Sequence, residues 1–172
     1  MSRRRIVLIV SAVASIGSAA PCLAQAAPSG VSGPDAIAAR QASMDLSSIA
    51  LRSMADGIKA GREPKAEAYP AAALAKWAKV VPRMFPLGTS RDEAPDSTQA
   101  LIAIWRDRGG FDRVASNYAA ATARLAVLAK ANDTKGFTRQ LVVVDQACRA
   151  CHTRYKEGMQ GPPLDMTSRA RG

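Results

Sequence analysis

The chain holds a single histidine, His152, and only three cysteines, Cys22, Cys148 and Cys151. A structural zinc site wants four ligands, so a closed cage here would have to borrow carboxylates or a second chain. No stretch reads as a convincing strand, which removes the sheet that surrounds a thioredoxin-type dithiol. Beyond the N-terminus there is no apolar run long enough to cross a bilayer. The formal net charge is +10, yet no basic cluster with interleaved aromatics is present, and nucleic acid is not an expected partner. Carboxylates paired on one face, phosphate loops and nucleophile motifs are also missing. The chain is therefore not expected to be an enzyme, and it shows no internal repeat.

The N-terminus carries Arg3, Arg4 and Arg5, then an apolar stretch from Ile6 to Ile16, then the small-x-small run Ala24-Gln25-Ala26. This pattern predicts a secretory signal peptide over residues 1–26, cleaved near Ala26/Ala27, and hence export to the periplasm. Cys22 falls in the discarded segment, and Pro21 before it spoils a lipoprotein reading. The arginines faintly resemble a twin-arginine signal, but the general secretion route is preferred for a chain exported unfolded. Cleavage takes the formal charge from +10 to +7, and the remaining lysines and arginines are scattered. Such a surface suits steering of an acidic partner, or simple solubility.

Apolar residues recur at helical spacing through the rest. Ile37, Arg40, Met44, Ser48, Leu51, Ala55 and Ile58 mark a first helix, with Ser32 or Asp35 as cap and Gly61 as stop. A second runs through Leu74, Trp77, Val81 and Met84, starts between Pro64 and Pro70, and is closed by Pro86. Residues 86–98 form a long connection, Leu101 to Arg108 a turn or two, and Gly109-Gly110 an interruption. The third helix carries Phe111, Val114, Tyr118, Ala121, Leu125 and Leu128, and Asn132-Asp133 makes a turn. A fourth presents Phe137, Leu141, Val144, Cys148, Cys151 and Tyr155 as one stripe. The expected fold is all-α, an antiparallel four-helix bundle of up-down-up-down order over residues 27–158, with a disordered, dispensable tail at 159–172.

Cys148-Arg149-Ala150-Cys151-His152 has the C-x-x-C-H spacing of a c-type haem attachment site. On a helix both thiols lie on one face, where they can form thioethers with the two vinyl groups of one porphyrin. The histidine is then aimed at the iron. Arg149 and Ala150 are read as spacers.

A haem motif on the last helix of a bundle resembles the class II c-type cytochromes, the cytochrome c prime family. Other matches are Arg40-Gln41-x-x-Met44, Val81-Pro82-Arg83-Met84-Phe85-Pro86, Ile104-Trp105 and Phe111-Asp112. The resemblance implies one covalent haem c held by Cys148 and Cys151, with His152 as proximal ligand and Arg40 paired to a propionate. A solvated surface arginine is the alternative for Arg40. In the low-spin, cytochrome c-556-type members a methionine matching Met44 supplies the distal sulfur, whereas five-coordinate members leave that face open to small gases. With no second histidine, the expected protein is a low-spin His/Met electron carrier serving redox partner proteins. Its rivals are a five-coordinate binder of nitric oxide or carbon monoxide, with Met44 as core filler, and a non-haem envelope protein. Met54 competes with Met44, lying about 15 Å further along the helix; Met84 is read as core, and Met159 and Met166 as tail. Trp105 and Tyr155 are candidates to line the pocket or merely to pack. Dimers are frequent in the family.

Overall fold

A computed structural model of the protein describes residues 31–158 and 160–167. The signal-peptide reading, Cys22 and Met159 fall outside the described residues. Four long or medium helices form the bundle, joined by short pieces, and no strand occurs among the described residues. No helix there is long and apolar enough to cross a membrane.

Helix α1 spans Gly33–Lys59. Ser32 caps it by accepting from Asp35 N at 3.3 Å, and Gly61 comes just past its end as expected. The second helix is broken where the sequence pattern predicts continuity. A 3-10 turn, Pro64–Glu67, leads into α2, Ala68–Ala78, and a second 3-10 turn covers Val81–Met84. Pro82 is the reason: it has no N–H for Ala78 O, and its ring clashes with that carbonyl in an α-helix.

Helix α3 is a single turn, Ala103–Arg106. Helix α4 runs Arg108–Lys130 and includes Gly109-Gly110, the expected interruption. Asp107 accounts for the difference, since its carboxylate accepts from Gly110 N at 3.1 Å and starts the helix one turn earlier. Gly110 also has to be small, because a Cβ there would meet Asp107 Oδ2 and the Tyr155 hydroxyl. Helix α5, Thr134–Tyr155, starts on Asp133, which accepts from Gly136 N at 2.9 Å.

The core is one cluster in which Met54, Leu125, Phe137, Leu141 and Val144 are completely buried. Helix α5 packs chiefly on α4, and α1 lies less closely against it. The connection after α2 is tied down at both edges. On one side Arg40 reaches Thr89 and Thr98. On the other, Ala100 forms a bridge with Lys156, and Glu157 N donates to Gln99 O at 2.8 Å.

Candidate haem site

The apolar stripe of α5 is buried at Phe137, Leu141 and Val144, becomes half-buried at Cys148 and Cys151, and is buried again at Tyr155. The exposed part of the stripe is the wall of a cavity of about 740 Å3, which Cys148, Cys151 and His152 line together. Burial, assisted by Asp145 and Cys151, pushes the Cys148 thiol up to about 12, and burial pushes Cys151 up to about 11. Both are neutral near pH 7. That does not suit an active dithiol, which needs a depressed pKa. Burial, with Lys156 and Arg149 nearby, holds His152 below its usual range, leaving the imidazole neutral and a ring nitrogen free to bind a metal. Among the described residues no three His, Cys, Asp or Glu side chains are grouped to hold a metal ion by themselves.

Helix α1 supplies the facing wall through Arg40, Met44, Ser48, Leu51 and Arg52. Met44 is half-buried against the core and lines the cavity, whereas Met54 is fully buried and does not. Arg40 is 3% exposed, so the surface alternative for it fails. Its guanidinium donates to Met84 O at 3.3 Å, Thr89 Oγ1 at 2.8 Å, Thr89 O at 2.6 Å and Thr98 Oγ1 at 2.7 Å. It also lies over the Phe85 ring, 4.7 Å from the centroid. Every one of these acceptors is neutral, and among the described residues no carboxylate pairs with it.

Sequence reasoning missed two contributors. Tyr118 of α4 lines the cavity with a buried hydroxyl that has no hydrogen-bond partner among the described residues. Ser47 faces it but donates to Ser43 O at 2.7 Å. Arg149, read as a spacer, bonds Asp145 Oδ2 and Gly161 O at 2.8 and 2.7 Å. The Asp145–Arg149 pair is legible as i,i+4 neighbours on α5, whereas the bond from Arg149 to Gly161 O and the place of Tyr118 on the cavity wall depend on segments brought together by the fold. Tyr155 lines the cavity, while Trp105 does not and packs edge-on to Phe85.

The walls fit a porphyrin. The volume falls within the ~300–1,000 Å3 of cofactor pockets, and apolar side chains such as Leu51, Leu74, Phe85, Phe111 and Val144 share the lining with charged and polar ones such as Arg40, Asp45, Arg52 and Lys156. A buried cation without a carboxylate suits a guest that brings its own. A profile of the family described as Cytochrome C' matches residues 35–156. The chain belongs to the cytochrome c' family. It is 31% identical over 104 residues to the cytochrome c' of Rubrivivax gelatinosus, covering 60% of this chain and 78% of that protein. The solved cytochrome c' structure from that organism aligns at 28% identity with a TM-score of 0.65, covering 73% and 97% of the two chains. Two more distant structures share the fold. One is an Alcaligenes xylosoxidans cytochrome c' variant with bound nitric oxide, at 20% identity, 76% and 99% coverage and TM-score 0.66. The other is a cytochrome c' with ligand-controlled dimer dissociation, at 18% identity, 75% and 99% coverage and TM-score 0.70. Cytochrome c' proteins are haem carriers of the electron-transport and gas-binding class and bind one covalent haem c in a four-helix bundle. Membership removes the non-haem reading. Between the two haem readings, the comparisons favour the five-coordinate one over the expected His/Met carrier.

Proposed function

We propose that this cytochrome c'-family chain is a periplasmic haem protein whose iron is five-coordinate and takes up a small gas such as nitric oxide or carbon monoxide. The observation that carries this reading is the match to cytochrome c' over 35–156, in a chain whose C-x-x-C-H segment on α5 lines a cavity shared with α1 and α4. When bound, haem would supply an iron able to exchange one electron and to take up a diatomic gas. Cys148 and Cys151 anchor it through thioethers. His152, kept neutral by burial, offers a ring nitrogen on the proximal side. Arg40 has one guanidinium N–H beyond those spent on Met84, Thr89 and Thr98, and its charge attracts a propionate. Met44, Leu51 and Phe111 form apolar wall and exclude water.

One observation favours the second reading, a His/Met electron carrier. Met44 is a thioether on the cavity wall contributed by the helix that faces His152, and sulfur is a soft ligand suited to haem iron. The optical spectrum of the ferric and ferrous protein separates the two. A broad high-spin spectrum is expected, retained in Met44→Ala, with carbon monoxide binding about tenfold faster in the variant, a change of about 1.4 kcal/mol in barrier. A sharp low-spin spectrum that turns high-spin on Met44→Ala would establish the carrier instead.

Export is supported by the N-terminal pattern of Arg3 to Ala26. Pairing of two copies is supported by Leu46 and Ile49, which lie three residues apart on α1 and are 66% and 63% exposed. Ile49→Asp is expected to convert a dimer into a monomer in sedimentation at micromolar concentration. An unchanged mass would remove α1 as the pairing face.

A further inference from the structure

The family match stops at Lys156, yet the residues beyond it stay on the bundle. The chain turns at Gly158, whose φ of +88° is open to glycine and strained for other residues. It then runs back between α5 and α1. Gln160 donates through its amide to Arg149 O at 3.3 Å and to Thr153 Oγ1 at 2.8 Å, on either side of the Cys151-His152 pair. Gly161 O accepts from Arg149 Nη2, and the Leu164 amide donates to Asp145 Oδ2 at 3.2 Å. The same Asp145 oxygen holds Arg149 Nε, so the two side chains clasp the segment together. From the other side, Arg52 and Lys59 of α1 donate to Pro162 O and Asp165 O at 3.4 and 3.3 Å. Leu164 and Met166 are half-buried against the core. The tail expected at 159–172 is thus in contact with both helices over residues 160–167.

This segment also helps enclose the cavity. Gln160, Gly161 and Leu164 line it beside Arg52 of α1 and Arg149 of α5. We propose that residues 160–167 form a strap across the α1–α5 mouth of the haem cavity, latched by Arg149 and Asp145, that restricts entry to small ligands. The proposal rests on the haem reading above. Its physical basis is the way the strap is held. Its ties are mostly main-chain groups of the strap bonded to side chains of the helices, which fix its path, and Leu164 adds an apolar plug. Pro162-Pro163 stiffens the middle, so the strap resists bulging outward more than a glycine-rich segment of the same length would. A diatomic molecule can pass small openings in such a wall, whereas a branched ligand needs the strap displaced.

The test uses the exported holoprotein, a version ending at Gly158, and Leu164→Ala in the full chain. Rates of carbon monoxide and of tert-butyl isocyanide binding to the ferrous form are compared, together with hydrogen exchange at the Leu164 amide of the full-length protein. Removing the strap is expected to speed isocyanide binding about tenfold while changing the carbon monoxide rate less than about threefold, as expected for a lid that gates by size. Leu164→Ala is expected to move the ratio the same way, and it decides the matter if the shortened chain fails to fold. The Leu164 amide is expected to exchange well below the unfolded-chain rate. An unchanged ratio in a coloured protein, or a Leu164 amide exchanging freely, overturns the strap alone. A colourless full-length protein overturns the haem reading beneath it.

Discussion

With both Cys148 and Cys151 replaced by alanine, the exported protein is expected to be colourless, to have the mass of its amino acids alone, and to lose its near-ultraviolet circular dichroism. The first two results come from removing both thiols of the cavity wall. The third comes from the size of the space left behind. Without a porphyrin, the apolar walls around a solvent-open space of about 740 Å3 lose the contacts that would fix their packing. The walls must therefore close in or admit water, and α1, the helix less closely packed on α5, is the one able to shift. Mass spectrometry, Soret absorbance and circular dichroism read the three effects separately. A variant that stays red, with a porphyrin still attached after denaturation, would show that the C-x-x-C-H cysteines are not the anchor.

The second large effect is expected at Arg40. Arg40→Leu keeps much of the apolar bulk but leaves Thr89 O without its partner and removes one bond each from Thr89 Oγ1 and Thr98 Oγ1, which keep Pro86 O and Ala100 N. The unpaired carbonyl costs ~1–3 kcal/mol and each lost hydroxyl bond ~0.5–1.5 kcal/mol, partly offset by no longer burying a charge, for a net loss of about 1–4 kcal/mol. The midpoint of denaturant unfolding reads it, at constant haem content. Arg40→Lys is expected to recover only part, because an ammonium lacks the planar fork that reaches two threonines and a carbonyl together. If the midpoint of Arg40→Leu matches the parent, the guanidinium does not organise residues 86–98.

The helices were legible because their buried faces repeat at steps of three and four, and the cysteines sit in register with Phe137, Leu141 and Val144 on α5. Periodicity is blind to the backbone, however. It carried the second helix through Val81 and Met84 although Pro82 forbids continuation, and it stopped before Gly109-Gly110 although Asp107 caps a helix that contains both. The motif names the proposed attachment residues, since its spacing is local. Met44 and Met54 share a helix and a side-chain type, and only the packing of the other helices places one on the cavity wall and the other in the core. The ties of Arg40 to Thr89 and Thr98 join residues 49 and 58 positions apart, and no local pattern encodes them. Residues 160–167 read as tail because Gly161, Pro162 and Pro163 resemble linker composition. Their attachments run mostly through main-chain groups, which composition does not reveal.

The interruption at Pro82 does more than shorten α2. Within an unbroken helix, a carbonyl is occupied by the amide four residues on. Pro82 frees Ala78 O, and because the helix does not resume before Pro86, Met84 O also has no amide four residues on; it accepts from Arg40, 44 residues earlier in the chain, and Phe85 comes to rest between that guanidinium and the Phe111 ring. A local prohibition is thereby converted into a long-range fastening: the 3-10 turn after α2 is stapled to the second turn of α1 at the point where the backbone could no longer satisfy itself.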